Sequence, residues 1–290
     1  LSQLLPHANY FTPVDAQLRE LIAFDPEQNF PSPSFVRQIE NQNLHALNIP
    51  ELTIITPAAL QTEAERVAQL HREEGLTVAV IEQEKIFNEF SSGTPDASAY
   101  RRLMKMFYDR AEGNENVRPR YLLLFGDGSY NNRKSMEKLH SPECNMLLTY
   151  QSKTSIDERE SFVIEDYFGF LEDNSGEEIK VDKICLGIGR FPISSIKNAR
   201  LVVDKLYRYV HDKDFSSWKN NICIAADDGD GAIHAEQADK GSDTLLLKNT
   251  SQPRLGFRVN KIYIDSYYMD PQTIKYPEAN RELMKQFKEG

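Results

Sequence analysis

A regular alternation of short apolar runs with helical patterns, which begins at Glu51, constrains this fold most. ELTIITP (51–57), LTVAVI (76–81) and RYLLLF (120–125) have the length and apolar content of buried strands. Between these runs, apolar residues recur at helical spacing, and Gly75 is predicted to end the first helix. Strand, helix, strand, helix, strand is typical of a parallel sheet covered by helices on both faces. The sequence therefore predicts an α/β fold.

A second series of strands and helices is predicted in the last third of the chain. The YLLLF run (121–125) is predicted to be the last strand of the first sheet, and GIGRFP (187–192) to open the second series. Residues 165–192 are predicted to form a strand, an acidic turn and a further strand. The predicted organisation is a proline-rich lead-in with the end of a preceding domain (1–50), a first α/β subdomain (51–150), an irregular connection with a hairpin (151–182), and the N-terminal part of a second α/β subdomain (183–290).

Composition excludes several classes of function. Lys and Arg total 34 against 44 Asp and Glu, a net charge of −10. This balance argues against a nucleic acid or an anionic membrane as partner, because both require a positive surface. No apolar run approaches the roughly 20 residues that a membrane span needs. The three cysteines, Cys144, Cys185 and Cys223, lack CxxC spacing. The last two lie in strand-like runs, so we expect them to be buried and unreactive.

Two polar loops that contain glycine follow predicted buried strands, FGDGSYNNR (125–133) and ADDGDGAIHAE (226–236). Open parallel sheets bind ligands at this edge, but neither loop has the GxGxxG or GK[ST] pattern of a nucleotide site. Clustered carboxylates suit a hard cation. The calcium candidates are therefore Asp227, Asp228 and Asp230, with a plain solvated turn as the alternative. For Asp127, a capping role for local amides and a direct role in a site both stay open.

Catalytic groups are sparse in this sequence. Of the six histidines, only His234 lies beside an acidic loop at the end of a predicted strand. Cys223 is near it in sequence, but a nucleophilic thiol needs an imidazole at its sulfur, and we expect Cys223 to point into the core. The residues alone thus indicate a ligand-binding platform without a catalytic set.

Several stretches together resemble the gingipain-type cysteine peptidases of Bacteroidetes. These stretches are SGTPDA (92–97), YRR (100–102), MFYDRA (106–111), LLLFGDGSY (122–130), GIGRFPISS (187–195) and IAADDGDGAIHAEQAD (224–239). The resemblance implies a caspase-like fold of two α/β subdomains with mostly parallel sheets. It also implies a peptidase active site, with a nucleophilic cysteine and a histidine base, at the carboxyl ends of the second sheet's strands.

Within that family, the chain is most similar to the sortases of the type IX secretion system. This resemblance implies a protein at the cell surface, on the external face of the outer membrane. Such a protein removes C-terminal sorting domains from secreted cargo and attaches the cargo to surface lipopolysaccharide, with outer-membrane subunits of the secretion system as further partners. It requires no cofactor, although members of the wider family bind structural calcium. The alternative is a non-catalytic α/β binding or assembly module, a pseudo-peptidase that docks a secretion partner.

The catalytic motifs of the family have no match in this sequence. We therefore expect no catalytic residue in this chain, and place the family's histidine and cysteine beyond Gly290, in a C-terminally truncated second subdomain. The chain alone is expected to be inactive. Some relatives carry a substrate-selecting acid at a place equivalent to residues 227–243. His234, Asp239 and Asp243 thus form the candidate substrate-binding region.

Overall fold

The computed structural model describes residues 25, 27, 30, 32–35, 37–139, 144–154, 156–179, 181–214, 216–251 and 256–289. Most of the lead-in predicted over residues 1–50 therefore lies outside the described residues. The chain divides into two compact units, Leu1–Leu47 and Asn48–Gly290. A short 3-10 helix, Leu44–Ala46, lies at the end of the first unit, and everything described below belongs to the second.

Strands and helices alternate through the second unit. The strands are β1 (Leu52–Thr56), β2 (Val78–Glu82), β3 (Tyr121–Phe125), β4 (Tyr150–Gln151), β5 (Val163–Ile164), β6 (Gly187–Phe191), β7 (Asn221–Ala226) and β8 (Arg258–Tyr263). The helices are α1 (Gln61–Glu73), α2 (Gln83–Phe90), α3 (Ala97–Arg110), α4 (Asn132–Met136), α5 (Ile196–Val210), α6 (Gly229–Ser251) and α7 (Pro277–Glu289). The predicted α/β class is confirmed.

The main sheet has four parallel strands in the order β2-β1-β3-β6. Helices α1 and α5 pack on one of its faces, where apolar side chains from both helices join those of β1 and β3. The buried members of this cluster are Leu52, Ile54, Leu60, Ala64, Val67, Ala68, Phe125, Ile193, Ala199 and Val203. Burial of this apolar surface supplies the main stabilisation of the sheet.

The position of β6 corrects the predicted boundary at residue 183. Gly187 pairs with Tyr121 and Phe191 with Phe125, so β6 is the edge strand of the first sheet and does not open the second. The YLLLF strand is accordingly internal to that sheet, not its last strand. The sequence could not show this, because an apolar strand carries no mark of the sheet in which it pairs.

The strand predicted to begin at residue 165 is also wrong. Residues Asp166–Gly169 form a 3-10 helix, and the hairpin of this region is the antiparallel pair of β4 and β5. Phe168, Phe170 and Leu171 are all fully buried. Neighbouring residues of a strand point to opposite faces. In the 3-10 helix and the two residues that follow it, all three of these side chains point into the core.

The second sheet consists of β7 and β8, which are parallel and paired from Asn221 with Arg258 to Ala226 with Tyr263. Alternate residues of β7 are accessible, and Cys223 is exposed while Cys185 is half-buried. Both expectations of a buried thiol are therefore wrong. In the part of the chain that the structure describes, β7 has a single partner strand, which leaves one of its edges open.

Two threonines of β1 provide a matched test of polar burial. The Oγ1 of Thr53 is buried without a hydrogen-bond partner among the described residues, whereas the Oγ1 of Thr56 donates to the carbonyl of Phe125 at 3.2 Å. We expect Thr53→Val to raise the free energy of unfolding by about 1 kcal/mol or more and Thr56→Val to lower it by about 1 kcal/mol. Urea unfolding followed by circular dichroism measures both, and an equal effect of the two substitutions would contradict this assignment.

Candidate functional site

The carboxyl edge of the first sheet, where a ligand is expected between β1 and β3, is filled by the chain itself. The backbone amide of Asp127 donates to the carbonyls of Asn145 and Ile193, each at 3.1 Å, and the amide of Leu147 donates to the carbonyl of Asp127 at 2.8 Å. A Cβ on Gly126 would lie 3.1 Å from the Asn145 carbonyl oxygen. The crevice that could have held a ligand is thus occupied by residues 145–147.

Asp127 itself caps the turn that follows β3. Its Oδ1 accepts a hydrogen bond from the amide of Gly128 at 2.8 Å, which is the local capping role that the sequence allowed. Gly128 is required by close packing, because a Cβ there would lie 2.8 Å from Cγ2 of Thr149. The GDG loop is therefore a packed scaffold, and the alternative site role of Asp127 has no support in the geometry.

Arg190 on β6 organises this edge. Its Nε donates to Oε1 of Glu165 at 2.7 Å and its Nη2 to Oε2 of the same carboxylate at 3.1 Å. Nη2 also donates to the carbonyl of Leu148 at 3.0 Å, and Nη1 to the carbonyls of Gly126 and Asp127, both at 3.2 Å. The Arg190 side chain is 10% exposed. Since a guanidinium has five N–H donors, this arrangement uses every one and leaves none for a ligand.

We call the hydrogen bonds of Arg190 to Glu165 and to the three backbone carbonyls the Arg190 clamp. A buried polar network lies next to it. The hydroxyl of Tyr100 donates to Oε1 of Gln83 at 2.7 Å and accepts from the amide of Leu148, and Nε2 of Gln83 donates to the carbonyl of Met146 at 2.9 Å. Burial raises the pKa of the Tyr100 hydroxyl and also that of the Cys144 thiol beside the network. A raised pKa disfavours the thiolate, which is the nucleophilic form.

At the carboxyl end of β7, the chain enters α6 through a left-handed turn. Asp230 (φ 54°, ψ 37°), Gly231 (φ 72°, ψ 33°) and Ala232 (φ 66°, ψ 15°) all adopt left-handed backbone conformations. Only glycine tolerates this region without a steric cost. The carboxylate of Asp230 lies 3.4 Å from Nε2 of His234, and both side chains are at least half exposed.

The candidate substrate-binding residues divide into two groups. Oδ1 of Asp239 accepts from Nζ of Lys261 and from the hydroxyl of Tyr263, each at 2.6 Å. These bonds, chiefly the one from Lys261, lower the pKa of the Asp239 carboxyl. The hydrogen bond to Asp239 in turn raises the pKa of Lys261, with the charge of Asp243 as a minor contribution. The structure therefore pairs Asp239 with Lys261 and His234 with Asp230, and does not bring the three candidates into one site.

No cation site forms at the acidic loop. Among the described residues, no group of three or more His, Cys, Asp and Glu side chains is arranged to hold a metal ion. Asp230 is engaged by His234, and the backbone carbonyl of Asp228 accepts from the amide of Ala232. The calcium site expected from Asp227, Asp228 and Asp230 is thus not assembled in this part of the chain.

The cysteines show no activated thiol. The sulfur of Cys144 contacts Nε2 of Gln83 and the carbonyl of Met146, and that of Cys185 contacts the carbonyl of Lys183. Within the described ranges, no histidine lies within hydrogen-bond distance of a cysteine sulfur.

Comparison with known proteins identifies the family. Residues 45–290 match the model of peptidase family C25. The chain belongs to peptidase family C25. No curated protein matches it.

Two solved structures are similar to this C25 chain, and the first of them agrees with the family assignment. Dimeric latent PorU from Porphyromonas gingivalis is 43% identical, with a TM-score of 0.55, over 62% of this chain and 17% of that chain. The Arg-specific cysteine proteinase gingipain R is 15% identical, with a TM-score of 0.46, over 77% of this chain and 43% of that chain. The C25 chain spans less than a fifth of the PorU length. The structural match to PorU, together with the parallel sheet and its helices, confirms the expected caspase-like α/β fold. In the part of the chain that the structure describes, no helix is long and apolar enough to cross a membrane.

The sequence analysis did not identify Arg190 as a residue that supports the carboxyl edge of the first sheet. The available signal was an arginine between apolar residues in the stretch GIGRFP, since a buried cation requires a carboxylate partner. Its partners are remote in sequence, so the pattern alone could not identify them.

Removing the Arg190 guanidinium should destabilise the fold strongly. Arg190→Met removes the donors to the Glu165 carboxylate and one donor from each of three backbone carbonyls, so we expect a loss of about 3–5 kcal/mol in the free energy of unfolding. The control is Arg102→Met, which removes a half-exposed pair with Asp96 and should cost at most about 1 kcal/mol. Urea titration measures both variants. Equal losses would show that the clamp is not a principal support of the fold.

The left-handed residues in the first turn of α6 give a second prediction. Ala232→Gly should raise the free energy of unfolding by about 1 kcal/mol, because glycine removes the cost of a Cβ in this conformation. Ala235→Gly, which lies in the regular part of α6, should lower it by about 1 kcal/mol. Thermal unfolding of the two variants distinguishes them, and a loss of stability in both would argue against the left-handed backbone at residue 232.

Proposed function

We propose that this chain is part of a type IX secretion sortase, a cysteine peptidase that removes C-terminal sorting domains from secreted cargo and attaches the cargo to surface lipopolysaccharide. The observation that carries this proposal is the 43% identity with PorU. The match to peptidase family C25 over residues 45–290 supports the peptidase class. The net charge of −10 is compatible with a protein partner and unfavourable for nucleic acid.

The proposed place of work is the external face of the outer membrane. The proposed partners are secreted proteins that carry a sorting domain and the outer-membrane subunits of the secretion system. No cofactor is part of the proposal. These assignments follow from the likeness to the sortase branch of the family.

Within the chain, we assign substrate contact to the carboxyl edge of β7 and β8 and not to the first sheet. The first edge is closed by residues 145–147 and by the Arg190 clamp. At the second edge, a cationic substrate side chain would compete with Lys261 for the carboxylate of Asp239. We assign the nucleophile to none of Cys144, Cys185 and Cys223, and infer that the chain alone does not cleave peptides.

Deleting the gene that encodes this chain tests the proposed function. We expect secreted cargo to retain its C-terminal sorting domain and to stay unattached to lipopolysaccharide, because no peptidase removes the domain. Mass spectrometry of the cargo and immunoblots for the attached polysaccharide measure the two steps. Cargo that is processed normally but found in the wrong place would favour the alternative, a non-catalytic assembly module.

A cysteine-free version of this region provides the matched control. Restoring the gene with Cys144, Cys185 and Cys223 replaced by alanine should restore cargo processing, since none of these thiols is the proposed nucleophile. The amount of the variant in the outer membrane checks that it folds. If a folded variant with only Cys223→Ala failed to process cargo, the assignment would be wrong at that residue.

A further inference from the structure

The chain contains three Asp–Gly bonds, at residues 127–128, 228–229 and 230–231, and the structure holds them differently. Aspartate followed by glycine can rearrange without an enzyme, because glycine has no side chain to hinder attack by its backbone nitrogen. We propose that Asp230–Gly231 is a site of spontaneous isoaspartate formation in the folded chain, whereas Asp127–Gly128 is protected. This proposal does not depend on the proposed function.

The rearrangement needs only water and a proton. The backbone nitrogen of Gly231 attacks Cγ of Asp230, a C–N bond forms, a Cγ–O bond breaks, and water leaves with the amide proton and one proton from solvent or from an acid. Water then adds to either carbonyl of the five-membered ring. Opening at the backbone carbonyl breaks its C–N bond, so the main chain runs through the former side-chain carbonyl. No oxidant or reductant takes part.

The backbone around Asp127 opposes this reaction. Ring closure requires rotation about the Cα–C bond of the aspartate, but the amide of Asp127 is bonded to Asn145 and Ile193, and its carbonyl accepts from Leu147 and Arg190. These bonds fix the peptide on both sides of Cα. Although the amide of Gly128 lies 2.8 Å from Oδ1 of Asp127, these backbone hydrogen bonds oppose the rotation that ring closure needs.

The surroundings of Asp230 permit the reaction. Its side chain is 84% exposed, and among the described residues no backbone hydrogen bond joins Asp230 to an element outside α6. The left-handed conformations of Asp230 and Ala232 cost on the order of 1 kcal/mol each. The backbone can therefore rotate out of this conformation with little loss of free energy. Nε2 of His234, 3.4 Å from the carboxylate, can deliver the proton that the leaving oxygen takes.

The product would alter the entry to α6. An isoaspartyl residue adds one methylene to the main chain and moves the free carboxylate to a shorter branch. The three left-handed residues would then have to rearrange, and the pairing of Asp230 with His234 would be lost. The change lies at the carboxyl end of β7.

Incubating the intact chain in water enriched in heavy oxygen tests the proposal, because each ring opening incorporates one oxygen from solvent. Trypsin releases residues 121–133 and 220–240 as separate peptides, and fragmentation by mass spectrometry locates the label. In the folded chain we expect label and a second, isoaspartyl peak at residue 230, and neither at residue 127. In urea, where the hydrogen bonds of Asp127 are lost, we expect label at both.

Two variants and one control sharpen the result. Asp230→Glu should abolish the label at this position, because glutamate would have to close a larger ring, and His234→Gln should slow labelling if the imidazole supplies the proton. Asp127→Glu is the matched control and should leave labelling at residue 230 unchanged. Absence of label at residue 230 of the folded chain, equal labelling at residues 127 and 230, or label confined to Asp228 would each overturn the proposal.

Discussion

A single guanidinium holds the carboxyl edge of the main sheet together. Arg190 projects from an edge strand and binds backbone carbonyls of the loop after β3, a carbonyl near β4 and the carboxylate of Glu165. A buried cation is costly unless it is paired and fully hydrogen-bonded, and here every donor has an acceptor. The loops at this edge therefore have one arrangement in which the charge is satisfied. That requirement makes the carboxyl edge of the first sheet a structural scaffold.

In the second sheet, by contrast, the charged pairs are accessible to solvent and not buried. Its charged groups, among them Asp239 and Lys261, pair on accessible surface, where water and salt weaken the attraction. Its acidic loop adopts a backbone conformation that non-glycine residues adopt only at a cost. In this C25 chain, the buried polar network thus lies at the first sheet and the exposed charged pairs lie at the second.

What the sequence could predict was local. The strands and helices between Leu52 and Phe125 were found because hydrophobic periodicity records the burial of each segment by itself. The sheet to which β6 belongs could not be found in this way, since pairing with β3 depends on residues far away in the chain. The same limit applies to the site: the sequence proposes Asp239 as a candidate position, but its bonds to Lys261 and Tyr263 join different elements and could not be read from the local pattern. The exposure of Cys223 was missed because an apolar run does not show how many neighbouring strands cover it.

The remote pairing of β6 with β3 also has a consequence for the order in which the chain assembles. During synthesis from the amino terminus, β1, β2 and β3 emerge well before Gly187–Phe191. Until β6 arrives, β3 presents an open row of amides and carbonyls, and Arg190 is not there to close the loops beside it. Long-range pairing of this kind slows folding, and an open strand edge on a growing chain invites pairing with other chains. The arginine that stabilises the finished sheet thus joins it only after the other three strands have been synthesised.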